Sequence, residues 1–157
     1  MTRDNIDKKL ISIRAMYYEK RDYQNLLRGY NSVLAEAERI GAEPDALAIC
    51  CRDIADILYE MGRKREAYQM YDRSLSCNVS DTDIKVQTLM NKGLSQFQDG
   101  NKEVGKSLLE EAMQLEVFNP TLKYFLVLNY RNLLRLLDKK IEPERHLLTQ
   151  RLWKKEE

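Results

Sequence analysis

The chain has 157 residues, which is enough for one domain with a sizeable buried core. Its 26 basic and 25 acidic residues leave a net charge of +1. Such a balance gives no overall field to hold a phosphate backbone, so we expect no nucleic-acid partner. Few prolines and glycines, together with frequent Leu, Ala, Glu, Lys and Arg, predict an all-helical protein.

The amino terminus and the cysteines indicate the cellular compartment of the protein. The first residues contain no apolar run long enough for a signal peptide or a membrane span. Cys50 and Cys51 are adjacent and Cys77 makes the count odd, a pattern typical of reduced thiols. We therefore expect a cytoplasmic protein without a membrane partner.

The first two predicted helices form a pair joined by a turn at Arg21-Asp22. The first runs from about Asp4, as its cap, to Lys20, and the second ends near Ile40, before Gly41. Apolar residues recur along the first helix at spacings of four, three and four, which predicts one buried stripe made of Ile6, Leu10, Ile13 and Tyr17.

The third and fourth helices are predicted at about residues 44–61 and 64–77, with Gly62 in the turn between them. Pro44 suits the first position of a helix because the amide it lacks would have no partner there. These two helices form the second pair.

The fifth and sixth helices are predicted to follow a cap at residues 80–83 and to meet at the turn around Gly100. The fifth runs to about Gln98 and the sixth covers about residues 102–117. The apolar positions of the sixth, which include Val104, are expected to be buried.

The seventh helix, at about residues 121–139, is the most apolar segment, and we expect it to be covered on two sides. Glu142-Pro143 then begins a short last helix in which Trp153 lies beside a stripe made by Leu148 and Leu152. We interpret this helix as a lid over the final hydrophobic face.

Residues 58–75 and 97–113 are built alike. Each stretch has an aromatic residue near the end of one helix, a glycine in the turn, and a small residue five positions after that glycine. The small residue after the turn is Ala67 in the first stretch and Gly105 in the second. A helix-turn-helix unit that recurs in this way is the signature of a repeat protein.

This pattern resembles the tetratricopeptide repeat family. The resemblance implies an all-α fold, an α-solenoid of three to four antiparallel helix pairs with seven to eight helices in a right-handed superhelical stack. Its units would cover about residues 4–41, 44–78, 81–118 and 120–155, the last being a repeat or a capping element. The unit length exceeds the usual 34 residues.

No group of residues in the sequence has the composition and spacing of a catalytic site or a metal site. His146 is the only histidine and lacks partners at ligand spacing. Asp53, Asp56 and Glu60 form an acidic cluster, which we interpret as a solvated or ligand-facing surface rather than as acid and base groups. We therefore expect no enzyme activity, no metal and no cofactor.

In the resembling family, the first helix of each pair lines a concave groove that binds a partner. The equivalent positions here mix amide, charged and aromatic side chains. The carboxylate clamp of one subgroup is missing, because its positions hold Ile11, Ala15, Asp53, Gln87 and Asn91. We single out nine candidate binding residues: Arg52, Asp56, Tyr59, Gln87, Met90, Asn91, Leu94, Phe97 and Gln98.

The resemblance favours a non-enzymatic adaptor that binds a protein or a peptide in this groove. One alternative is the peptide-sensing domain of a transcription regulator, which would require a DNA-binding segment in a longer protein. Another is a homo-oligomerisation module, with a homodimer formed through helix 121–139 or through the C-terminal helix with Trp153.

Overall fold

A computed structural model describes residues 2–139, which form seven α-helices and no strand. The predicted all-helical class is therefore confirmed for these residues. The expected last helix, with His146 and Trp153, lies outside the described part of the chain. In chain order, the helices are α1 (Arg3–Tyr17), α2 (Tyr23–Arg39), α3 (Pro44–Glu60), α4 (Lys64–Leu75), α5 (Thr82–Gln98), α6 (Lys102–Met113) and α7 (Pro120–Lys139).

Several helix ends differ from the predicted ones: α1 ends at Tyr17 instead of Lys20, and α6 ends at Met113 instead of about residue 117. Helix α1 is capped two residues earlier than predicted because the Thr2 hydroxyl, and not Asp4, accepts a hydrogen bond from the amide of Asn5 at 3.4 Å. Helix α4 ends at Leu75, two residues early, where the Ser76 hydroxyl donates to the carbonyl of Arg73 at 2.6 Å.

Contacts within the described part of the chain define two compact units, residues 2–81 with α1 to α4 and residues 82–139 with α5 to α7. In the first unit α2 packs against α1 and α3, and α3 packs against α4. In the second unit α6 packs between α5 and α7. The largest fully buried side chains of the two cores are Tyr30, Tyr71, Ile6, Leu10, Leu26, Ile54 and Ile57, and Phe97, Leu89, Met90, Leu94 and Leu109, respectively.

One helix pair recurs at an interval of 38 residues. Helices α3 and α5 have 17 residues each, α4 and α6 have 12 each, and their first residues are Pro44 and Thr82, then Lys64 and Lys102. We call α3 and α5 the A helices and α4 and α6 the B helices. Pro120 continues the interval, so α7 begins where a further A helix would.

The turn within each pair needs a left-handed residue. Gly62 and Gly100 provide it with φ values of 81° and 97°, which a residue without a Cβ adopts at low cost. Arg21 stands in the turn between α1 and α2 with a φ of 53°. A side chain in this region costs roughly 1–2 kcal/mol, so the first pair carries backbone strain that the later pairs avoid.

Each A helix also holds the connector that follows its own pair. The carboxylate of Asp45, at the start of α3, accepts hydrogen bonds from the amides of Ser80 at 2.7 Å and Asp81 at 3.2 Å. Asp83, at the start of α5, accepts equivalent bonds from the amides of Phe118 and Asn119, both at 2.9 Å. Charged acceptors of this kind satisfy two connector amides that no helix can satisfy.

The backbones of α5 and α6 approach closely at a pair of glycines. A Cβ added to Gly105 would lie 2.6 Å from the Gly93 carbonyl oxygen and 2.9 Å from the Phe97 amide nitrogen. A Cβ added to Gly93 would lie 2.4 Å from a methyl group of Leu109. In the first unit the equivalent residues, Ala55 and Ala67, are fully buried.

Three expectations about burial are wrong. Of the stripe predicted on α1, only Ile6 and Leu10 are buried, whereas Ile13 and Tyr17 are partly exposed. Val104 is exposed because the buried side of α6 consists of Gly105, Leu109 and Ala112. Within residues 2–139, helix α7 is buried on one side only, since its buried residues form a single stripe and Tyr124 on the opposite face is exposed. When apolar residues occur on more than one face of a helix, the sequence pattern alone does not show which face is buried.

Replacing Gly105 by alanine tests the close approach of α5 and α6. The new Cβ would meet backbone atoms that cannot rotate away, so we expect a loss of about 1–3 kcal/mol in the free energy of unfolding. Urea denaturation followed by circular dichroism measures it. Val104→Ala, at the adjacent exposed position, is the control and should change stability by less than about 0.5 kcal/mol. Equal stability of Gly105→Ala and the wild type would contradict the assigned crossing.

Candidate functional site

The nine candidate residues belong to the two A helices, and each unit contributes its own group. Arg52, Asp56 and Tyr59 lie on α3. The other six lie on α5: Gln87, Met90, Asn91, Leu94, Phe97 and Gln98.

On α3, Arg52 takes part in a buried ionic network around Asp53. Asp53 is fully buried, and its Oδ1 accepts hydrogen bonds from Nε and Nη2 of Arg52 at 3.2 and 3.1 Å. Its Oδ2 accepts a bond from the Tyr30 hydroxyl at 3.1 Å and lies 3.7 Å from Nη1 of Arg14. One carboxylate therefore joins side chains from α1, α2 and α3.

The electrostatics of this network keep Arg52 charged and Tyr30 neutral. Burial works to lower the pKa of Arg52, but the carboxylates of Asp53 and Asp56 outweigh it and raise that pKa. Burial and the adjacent Asp53 carboxylate raise the pKa of Tyr30 far above its usual value. The Tyr30 hydroxyl therefore stays protonated and acts as a hydrogen-bond donor.

Asp56 and Tyr59 are buried by interactions within the first unit. The Asp56 carboxylate accepts a hydrogen bond from the hydroxyl of Tyr71 on α4. The Tyr59 ring meets the edge of the Tyr68 ring with centroids 6.4 Å apart, and the ammonium of Lys64 lies 5.6 Å from its centroid. Asp56 and Tyr59 thus connect the A and B helices of this pair.

On α5, amide groups lie beside a buried apolar set. The Gln87 amide nitrogen donates to the Asn91 amide oxygen at 3.1 Å. Asn91 is buried, whereas Gln87 and Gln98 are partly exposed. The remaining candidates on this helix, Met90, Leu94 and Phe97, are buried as well.

Three of the nine candidates therefore keep accessible surface, namely Arg52, Gln87 and Gln98. The other six are buried, and their side chains serve chiefly to set the shape and stiffness of the A helices.

A polar side chain recurs at one buried position of three helices. Asp53, Asn91 and Asn129 are spaced by 38 residues on α3, α5 and α7, and each is at most 1% exposed. Asn129 donates to the sulfur of Met90 at 3.7 Å within the second unit. Sequence reasoning missed Asn129, although Asn129 follows Asn91 by 38 residues, which is the interval of the repeat. It also missed the link from Asp53 to Arg14 and Tyr30, for which no local pattern exists.

The three cysteines are free thiols in environments that suppress their ionisation. Burial is the main cause that raises the pKa of Cys50 to about 12 and that of Cys51 to about 11. Cys77 is partly exposed, and burial raises its pKa too. Because the thiolate is the reactive form, Cys50 and Cys51 are structural residues.

Within residues 2–139, no three His, Cys, Asp or Glu side chains lie close enough together to hold a metal ion. His146 lies outside this range. Among the seven described helices, none has the length and apolar character needed to cross a membrane.

In residues 2–139 these features define an all-helical chain that repeats one helix pair at a fixed interval, with the accessible Arg52 on α3 of the first unit and the accessible Gln87 and Gln98 on α5 of the second unit. The chain matches no model of a known protein family, no curated protein and no solved structure.

Replacing Asp53 by asparagine tests the ionic network. The change would leave two guanidinium groups facing a buried site without their carboxylate, so we expect a loss of about 3 kcal/mol in the free energy of unfolding. Chemical denaturation measures it, and Asp4→Asn on the exposed side of α1 is the control. If both variants lost equally little stability, Asp53 would not be the centre of the network.

Thiol labelling at pH 8 tests the cysteine environments. With pKa values of about 12 and 11, about one in ten thousand Cys50 thiols and about one in a thousand Cys51 thiols would be ionised, and burial also blocks the reagent. We expect Cys77 to react first with a disulfide reagent and the other two to react only after denaturant is added. Cys77→Ser should remove the fast phase. Fast labelling of that variant would contradict the assignment.

Proposed function

We propose that this protein is a non-enzymatic adaptor of the tetratricopeptide repeat type that binds a peptide segment of a partner protein along its A helices. The observation that carries the proposal is the recurrence of one helix pair at 38 residues, with a polar side chain kept at the same A-helix position. Chains built from such units expose a continuous set of equivalent positions, which suits extended ligands.

The accessible members of the candidate face have the chemistry that a peptide requires. The Gln87 amide is paired with Asn91, and side-chain amides can donate to and accept from a peptide backbone. Arg52 keeps an accessible edge and a raised pKa, so it stays cationic and suits an acidic side chain. The ionic network around Asp53 holds the guanidinium of Arg52 in place, which reduces the conformational entropy that Arg52 loses when a peptide binds.

The buried acidic residues support a structural role over a catalytic one. Asp53 is paired with two arginines and a tyrosine, and Asp56 accepts a hydrogen bond from Tyr71. A general acid or base needs access to a substrate, and both carboxylates are engaged inside the first unit. Three free thiols, two of them buried, are consistent with a cytoplasmic protein.

Selection from a random peptide library tests the proposal. We expect the chain to enrich a linear motif, and Gln87→Ala/Gln98→Ala to weaken binding of the enriched peptides by about tenfold. Fluorescence anisotropy with labelled peptides measures this change. Because Gln87→Ala removes the donor to the buried Asn91 oxygen, we expect the double variant to lose about 1–3 kcal/mol in the free energy of unfolding, so its circular dichroism spectrum is compared with that of the wild type at the temperature of the binding assay.

The matched control is Glu103→Ala/Glu111→Ala, which removes two exposed side chains from the B helix α6. It should leave peptide affinity unchanged. If no linear motif were enriched, peptide binding would be refuted. If the glutamine and glutamate variants bound the peptides as the wild type does, the assigned face would be wrong.

A further inference from the structure

The outward face of α7 combines exposed apolar side chains with two arginines. Tyr124 is 63% exposed, Val127 37% and Leu134 39%, although each is a residue that helices usually bury. Arg131 and Arg135 are exposed on the same side. This face lies opposite the buried stripe, which contains Leu122, Leu126, Asn129, Leu133 and Leu136.

The 38-residue register shows which faces of α3 and α5 are equivalent to this face of α7. The positions 38 residues earlier on α5 include Gly93 and Phe97, and α6 packs on them through Gly105 and Leu109. On α3 the position equivalent to Tyr124 is Ala48, whose backbone carbonyl accepts a hydrogen bond from the Ser74 hydroxyl of α4 at 2.8 Å. In both complete pairs a B helix therefore covers the face that α7 leaves exposed.

Helix α7 differs from the other two at the positions where the B helix makes its closest contact. Arg131 stands where α3 and α5 have Ala55 and Gly93, and Arg135 stands where they have Tyr59 and Phe97. Even a single Cβ at Gly93 would meet Leu109 at 2.4 Å, so a helix cannot approach Arg131 as closely as α6 approaches α5. A helix on this face must instead meet two guanidinium groups.

We propose that the outward face of α7 binds an amphipathic helix of a partner protein that carries acidic residues beside its apolar stripe. The stripe packs on Tyr124, Val127 and Leu134, and the carboxylates pair with Arg131 and Arg135. Helix-in-groove recognition of this kind reads apolar anchors at helical spacing, and the charges set the orientation.

The charges on α7 favour this occupant over a second copy of the chain. Residues 120–139 contain four basic residues and one acidic residue, so two α7 helices would repel each other when paired. The chain's own residues 140–157 are also a poor match. They carry five basic and four acidic residues, and Pro143 stands where the B helices have Ala67 and Gly105.

Two synthetic helical peptides test the proposal on the full-length chain. Both carry leucines in one stripe, and the residues flanking that stripe are glutamates in one peptide and lysines in the other. By fluorescence anisotropy, we expect the glutamate peptide to bind at least about tenfold more tightly than the lysine peptide. Arg131→Glu/Arg135→Glu should reverse this order.

The matched control is Arg28→Glu/Arg65→Glu, which changes the net charge equally at exposed positions of the first unit. It should keep the preference for the glutamate peptide. The proposal is overturned if neither peptide binds below millimolar concentration or if the control reverses the order as well. It is also overturned if light scattering shows a dimer that Val127→Asp/Leu134→Asp dissociates.

Discussion

The close approach of α5 and α6 at Gly93 and Gly105 is the constraint on which the geometry of the second unit depends. Two backbones can lie this near only where neither carries a large side chain, and the contact fixes the crossing of the pair. Phe97 and Leu109 fill the space around it and are fully buried. In the first unit Ala55 and Ala67 occupy the equivalent positions and are also fully buried, so small residues recur where an A helix meets its B helix.

The first helix pair reaches stability by different means. It lacks the turn glycine, and Arg21 adopts a left-handed conformation in its place. It is joined to α3 by the Asp53 network, in which the carboxylate meets Arg14, Arg52 and Tyr30. Because the loss of one partner leaves an uncompensated buried charge, this network is sensitive to the removal of any of its members. The same network positions Arg52 for the proposed peptide face.

Helix α7 follows the repeat pattern on its buried face and departs from it on its exposed face. It keeps the buried polar position of the A helices, as Asn129, and it begins at the expected interval. On its other face, arginines replace the small and aromatic residues that admit a B helix. The inner face therefore follows the repeat, whereas the outer face has the properties of an interaction surface. A stripe of exposed apolar residues bordered by charge is typical of sites that bind another helix.

The sequence alone determined the helical class, the seven described helices to within a few residues, and the turns at Gly62 and Gly100, because periodicity, capping and left-handed glycines are local properties. Tertiary structure decided which of the nine candidate residues remain accessible. It buried Asp56 against Tyr71, joined Asp53 to Arg14 across three helices, and exposed Tyr124 on α7. These outcomes depend on contacts between residues far apart in the chain, and no local pattern encodes them.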